Sequence, residues 1–212
     1  MNVWEKVLEL LFPRRCPFCG KVTGGALLCD DCKSNLPVTD LQPVRDLTFA
    51  RCAAPLYYEQ SVRDALLDFK FHSRTGGLDC FGDLLAQCAA ACFAGEFDTV
   101  SWVPVSDKRR RQRGFDQSYE LSCAVCRHWD TQPVATLRKT YHNRPQSGIS
   151  AAEERRANVL GVYEPIPEHI WGRRILLVDD ILTTGATLSE RVRVLRENGA
   201  AEVVCLTLAR KR

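Results

Sequence analysis

Apolar positions along the chain change their period several times, and each change predicts an element. Val3, Trp4, Val7, Leu8 and Leu11 fall at helical spacing, so residues 2–12 are expected to form a short amphipathic helix. Between Pro13 and Pro37 turn residues dominate. From Phe49 onward strand-like and helix-like patterns alternate. A strand is predicted within 49–58, helices over 61–69 and 79–94, a strand at TVSWVPV (99–105) and a helix from about Asp116 to Trp129. PVATL (133–137) is a further strand of this domain, followed by a helix near 150–158, the strand RRILLVD and the helix TGATLSERVRVLRENG, closed by Gly199. EVVCLTLA is a last strand. Strands with few charges, alternating with helices, predict an α/β fold: a parallel twisted sheet covered by helices on both faces. The expected organisation is a helix and cysteine-rich module over 1–37, a linker over 38–48 and the α/β domain over 49–212.

Composition narrows this picture. Of 212 residues, 45% are apolar and 26% charged, which is enough to build a core and excludes a disordered chain. A net charge of +3 does not by itself argue for nucleic-acid binding, so the distribution of charge must decide. MNVWEKVLELLF carries acidic residues inside its apolar stretch, unlike a secretory signal, and no apolar run approaches the roughly 20 residues that span a bilayer. Eleven cysteines in such a chain are therefore expected to be metal ligands or buried thiols in a reducing, cytoplasmic setting.

The densest chemistry lies in ILLVDDILTTGATL, residues 175–188. An apolar strand runs into two consecutive carboxylates, Asp179 and Asp180, and ligands of open α/β sheets sit beyond the carboxyl ends of strands. The loop Thr183-Thr184-Gly185-Ala186-Thr187 then opens a helix, whose free amides and positive end suit a phosphate. The spacing is neither that of a P-loop nor G-x-G-x-x-G. Acids beside a phosphate cradle suit a sugar phosphate, the carboxylates accepting from ribose hydroxyls and the loop holding the 5′-phosphate.

Two further clusters stand out. Cys16-x2-Cys19-x9-Cys29-x2-Cys32 offers two thiolate pairs, the requirement of a closed structural zinc site. Lys108, Arg109, Arg110, Arg111 and Arg113 follow the strand TVSWVPV as a basic loop on the edge that presents Asp179, within reach of a pyrophosphate or of a nucleic-acid backbone. Cys88 with Cys92, and Cys123 with Cys126, could share a second metal only if their helices pack face to face. Buried thiols are the commoner outcome.

ILLVDDILTTGATL resembles the phosphoribosyl-pyrophosphate (PRPP) motif of type I phosphoribosyltransferases. That resemblance implies that Asp179 and Asp180 bind the ribose 2′- and 3′-hydroxyls, that residues 183–187 bind the 5′-phosphate, and that Mg2+ bridges hydroxyls and pyrophosphate. A nucleophile would displace pyrophosphate at the anomeric carbon through an oxocarbenium-like transition state, stabilised by the nearby carboxylates. LLFPRRCPFCG, CDDC, WVPVSDKRRRQRGFDQS, RPQSGIS with Arg155 and Asn158, and VDDILTTGATL together resemble the ComF family, which joins a zinc module to a phosphoribosyltransferase-like domain and is associated with natural competence. It places the pyrophosphate loop at the basic run, with Asp116 where Asn is common. The segment carrying Arg138, Lys139, Arg144 and Gln146 becomes the hood that closes over PRPP.

Two functions follow as expectations. One is a competence factor that binds PRPP or a related ribose 5-phosphate ligand and handles transforming single-stranded DNA, with competence-machinery proteins as partners. Phe115 and Tyr141 are the aromatics best placed to stack on bases. The other is an active phosphoribosyltransferase that carries the pentosyl group to an unknown acceptor, with Asp179 and Asp180 as its catalytic carboxylates.

Overall fold

The computed structural model describes residues 13–44, 50–71, 75–139 and 163–212. The helices expected at 2–12 and 150–158 lie outside them. Seven strands are present among the described residues: β1 (Cys52–Ala53), β2 (Leu56–Tyr57), β3 (Thr99–Trp102), β4 (Leu137–Lys139), β5 (Tyr163–Pro165), β6 (Arg174–Leu182) and β7 (Glu202–Arg210). The α-helices are α1 (Asp30–Asn35), α2 (Gln60–Phe71), α3 (Leu78–Phe93), α4 (Asp107–Arg113), α5 (Gln117–Cys126) and α6 (Ala186–Glu197).

The main sheet is parallel, in the order β1-β7-β6-β3, with β2 also pairing β7. β1 and β2 are two pieces of one edge strand. Pro55, lacking an N–H, falls between them, and prolines are confined to such edges. Thr39, Val38 and Val44, expected in the linker, lie along this edge: Thr39 N–H donates to Pro55 O, while Val38 and Val44 bridge Leu56 and Cys52.

The two long strands separate two cores. Leu176 and Val178 of β6, with Val204 and Leu206 of β7, pack against α2, α3 and α5 through Leu66, Phe69, Phe81, Leu85 and Leu121. Ile175 and Leu177, with Val203 and Cys205, pack on the other face against Leu188, Val192 and Leu195 of α6. Strand periodicity thus runs apolar on both faces, as a sheet buried on both sides demands. Where α3 crosses α5 the backbones approach closely, because a Cβ on Gly82 would stand 2.7 Å from the Ala124 Cβ.

Two expectations are corrected. PVATL does not enter the main sheet: Leu137–Lys139 pairs antiparallel with Tyr163–Pro165, and the link to β3 is a bond from Val134 N–H to Val100 O. The basic loop is instead the two-turn helix α4, capped by the Ser106 hydroxyl, which accepts from Arg109 N–H, and closed by Gly114 in the left-handed region (φ 81°). A good N-cap and a C′ glycine outweigh the repulsion among its arginines.

Gly82→Ala should cost about 1–3 kcal/mol in urea unfolding, because the added methyl meets Ala124 side chain and backbone together. Substitution at the open Gly76 position should not be felt to that extent.

Candidate functional site

Why the two acids can act together is a question of pleat. In a regular strand consecutive side chains point to opposite faces. Up to Val178, β6 alternates between the two cores. Beyond the acids, Ile181 joins the core that holds Leu176 and Val178, while Leu182 joins the other. The alternation has slipped by one residue across Asp179–Asp180, and both carboxylates line one cavity of about 280 Å³. The acids do not end the strand, as expected, but sit within β6, which runs on to Leu182 beside β7. β3 leaves the ladder at Trp102, paired with Val178, so β6 has an open flank from Asp179 onward. The exit of β3 (Val103–Val105), α4 and the start of α6 enclose that opening.

Each carboxylate has its own surroundings. Asp179 Oδ1 accepts from the Ser118 hydroxyl at 2.9 Å and from the Asp180 amide at 2.9 Å. Burial, and then the charge of Asp180, push its carboxyl up to about 7, against the opposing pull of Arg191, the amide and Ser118. Asp180 pairs with Lys70 Nζ of α2 at 2.5 Å. Ser118, Lys70 and Arg191 were missed by sequence reasoning, although Ser118 is the last residue of the WVPVSDKRRRQRGFDQS stretch. Arg191 lies five residues past the start of α6, buried, with its guanidinium 4.0 Å from the Tyr163 ring centroid. A run of residue types carries no hint of that placement.

The expected phosphate loop is present as a turn. Gly185 is buried in the left-handed region (φ 73°) at the N-cap of α6 and supplies no side-chain cap, which leaves the helix's first amides for an anion. Thr183 and Gly185 line the cavity, whereas Thr184 and Ala186 are exposed and do not. Thr187 opens α6 by sequence, its side chain outside the described residues. From α4, Arg109 and Arg113 line the cavity, one helical turn apart, while Arg110 and Arg111 face solvent and Arg110 pairs with Asp107. Lys108 belongs to the same helix by sequence. Of the expected hood, Lys139 lies 5.0 Å from the Tyr163 ring centroid and Arg138 is exposed on β4. Arg144 and Gln146 lie outside the described residues, as do Tyr141, Arg155 and Asn158.

Asp116 is an acceptor, so nothing at this position needs an amide donor. Its two oxygens take Val105 N–H at 3.0 Å and Tyr119 N–H at 3.2 Å, tying the exit of β3 to the start of α5. Burial pushes its carboxyl up, against the pull of these bonds. A larger cavity, about 890 Å³, lies between the cysteine knuckle and α2–α3 and shares no lining residue with the cavity at the acids. It too holds two carboxylates, Asp64 and Asp68, near the uncapped start of α3 at Gly77, but these stand a helical turn apart on α2, whereas the smaller cavity brings consecutive carboxylates together with Arg109 and Arg113 of α4.

The sulfurs of Cys16, Cys19, Cys29 and Cys32 all lie within 4.8 Å of one another, compatible with the roughly 3.8 Å edge of a tetrahedron with 2.3 Å Zn–S bonds. Burial opposes the Cys16 thiolate, but amides including those of Cys29, Phe18 and Cys19 prevail and bring it down to about 7. Cys32 is pushed up by burial and by its three neighbouring thiols, so all four can ionise together only around a cation. The knuckle then docks on the main domain, with the Phe18 ring 5.9 Å from Phe81. Cys88, Cys92, Cys123 and Cys126 form no such group; among the described residues the Cys16 cluster is the one that could hold a metal.

The phosphoribosyl transferase domain family matches residues 118–212, and the double zinc ribbon domain family matches residues 7–66. Together with strand order and the cysteine cluster, these define a phosphoribosyltransferase-like α/β domain joined to an N-terminal zinc module. Competence protein ComFC of Bacillus subtilis (strain 168) is 27% identical over 197 residues, 92% of this chain and 77% of that protein. DNA utilization protein YhgH of Escherichia coli O157:H7 is 32% identical over 117 residues, and competence protein F of Haemophilus influenzae 33% over 111. These two matches span about half of each partner: 53% and 51% of this chain, 49% and 48% of the relatives. These likenesses together support a ComF-family protein with an N-terminal zinc module.

Asp179 yields a pH-dependent prediction. Its folded value of about 7 lies above the ordinary 3.8, so the stability it contributes is full below about pH 4 and lost as pH rises through 7. Asp179→Asn should therefore gain on the wild type by over about 1 kcal/mol more at pH 8 than at pH 5, in urea titrations at both values. For the knuckle, atomic absorption should find one zinc per chain. Cys16→Ser with Cys19→Ser should lose it and lower the melting temperature of the whole chain, because Phe18 packs into the main core.

Proposed function

We propose that this chain binds PRPP, or a related ribose 5-phosphate ligand, in the crevice at Asp179 and Asp180, and that it serves natural competence in the handling of transforming single-stranded DNA. One observation carries the ligand reading: two consecutive carboxylates face the same cavity as an uncapped helix start and the guanidinium-bearing side chains of Arg109 and Arg113. The carboxylates accept from the vicinal hydroxyls, the amides of the first turn of α6 take the 5′-phosphate, and Arg109 and Arg113 meet the pyrophosphate. Mg2+, a hard cation suited to carboxylate and phosphate oxygens, would neutralise pyrophosphate charge there. Competence is supported by the names of the relatives, competence protein ComFC and competence protein F among them.

The DNA part of the reading rests on the rim. Phe115, one of the two aromatics expected to stack, is instead packed against Phe69 at 5.3 Å. Phe71 and Tyr119 are the exposed rings near α4, Phe71 lying 5.2 Å beneath the Arg113 guanidinium and Tyr119 edge-on to Trp102. Exposed rings interleaved with arginines suit single strands, which stack on aromatics and bind through phosphates. The second reading, an active transferase, is favoured by the acidity retained at both positions 179 and 180. Their negative charge would stabilise the positive charge that develops at the anomeric carbon as its bond to pyrophosphate breaks, while Arg109 and Arg113 would stabilise the pyrophosphate that leaves with the electron pair. Release of pyrophosphate with candidate bases, nucleosides or DNA ends is the assay that distinguishes this reading.

PRPP with Mg2+ should raise the melting temperature, and Asp179→Asn with Asp180→Asn should abolish the rise while the fold survives. No shift over a wide PRPP range counts against the ligand. Arg110→Ala with Arg111→Ala should weaken single-stranded DNA binding and reduce its log–log salt slope by about 1.4, at roughly 0.7 per phosphate contact, without touching the PRPP response. An unchanged slope removes α4 as a DNA surface.

A further inference from the structure

Lys70 is absent from every motif described above, yet it reaches the centre of the site. It stands in the last turn of α2, where any lysine is favoured by the helix dipole. The dipole does not explain its position. Its side chain is 16% exposed, and its ammonium lies 2.5 Å from Asp180 Oδ2, whose side chain is 19% exposed. α2 is held firmly at this point: Phe69 packs edge-on against Phe81 at 5.8 Å and against Phe115 of the turn after α4 at 5.3 Å. The cavity contains four cationic side chains, Lys70, Arg109, Arg113 and Arg191, against the two acids. Asp179 answers to Arg191 and Ser118, so Lys70 is the ion-pair partner fixed on the second acid.

We propose that Lys70 is an internal counter-ion that occupies Asp180 in the ligand-free protein and must release it before a sugar hydroxyl can donate to that carboxylate. The inference rests on the ribose-phosphate reading of the site. Two adjacent carboxylates in a half-buried crevice repel each other, and Lys70 relieves that repulsion when the crevice is empty. A diol arriving at the acids then competes with an ammonium already in hydrogen-bonding contact. Lys70 thus acts as a positioning residue that sets the affinity threshold, keeping weakly binding sugars off the acids.

The test is calorimetric titration of the full chain with ribose 5-phosphate, which carries the diol and the 5′-phosphate without pyrophosphate. Lys70→Met should bind it about fivefold more tightly than the wild type, since one partly exposed ion pair no longer has to be broken. Lys70→Arg, which keeps the ion pair, should bind like the wild type, and adding Asp180→Asn to Lys70→Met should erase the gain. Equal or weaker binding by Lys70→Met overturns the inference and leaves the ligand reading standing. If neither wild type nor Lys70→Met binds ribose 5-phosphate or PRPP, both fall. The wild type also supports an independent reading by 15N NMR of lysine ammonium groups. The Lys70 signal should move on addition of ribose 5-phosphate, and an ammonium that stays in place at saturation overturns the inference even if Lys70→Met does not fold.

Discussion

Two carboxylates side by side in a half-buried crevice constrain everything around them. Consecutive residues of a strand belong on opposite faces, and adjacent acids away from water repel, so such a pair needs both a break in the pleat and compensating charge. β6 supplies the break, with Ile181 and Leu182 on the cores opposite to those the upstream alternation assigns them. Compensation comes from both sides of the sheet: Arg191 from α6, Lys70 from α2 and the Ser118 hydroxyl from the start of α5. Three elements remote in sequence are thus held to one point.

The zinc module belongs to this arrangement through packing. Phe18 of the knuckle meets Phe81 of α3, Phe81 meets Phe69 of α2, and Phe69 meets Phe115 beyond α4. Four rings in mutual edge or tilted contact run from the cysteine cluster to the two elements that carry Lys70 and the arginines. Pro17 reinforces the joint, since a Cβ on Gly77 would stand 2.8 Å from its Cβ. A knuckle too small for a core of its own borrows one from α3, and across the larger cavity it faces α2, the helix that carries Lys70.

The sequence made the alternating pattern, the Cys16–Cys32 spacing and the acidic strand readable because each depends on local spacing. Strong apolar runs at 175–178 and 203–206 announced buried parallel strands whatever their neighbours. What was not legible depended on pairing or on tertiary distance. PVATL carries strand-forming residues, yet its continuation Leu137–Lys139 pairs with β5, a partner 24 to 28 positions away that no local pattern can select. The basic run looked like a loop because like charges oppose a helix, but Ser106 and Gly114 cap both ends and settle the balance. Lys70 and Arg191 became site residues only once α2 and α6 were laid on opposite faces of the same sheet.

On the proposed function, the helical form of the basic run also decides how one short segment could serve two ligands. In an extended loop all the arginines could turn toward a single partner. On α4, residues 109 and 113 fall on one face and line the crevice, while 110 and 111 fall on the other and remain in solvent. The inward pair adds to Lys70 and Arg191 to leave the cavity with more positive than negative side chains, a balance that a multiply charged phosphate ligand corrects and a neutral sugar does not. The outward pair stays exposed, and on the proposed reading it is the part of α4 available to a second polyanion. Ribose-phosphate binding and nucleic-acid contact therefore need not compete for the same side chains.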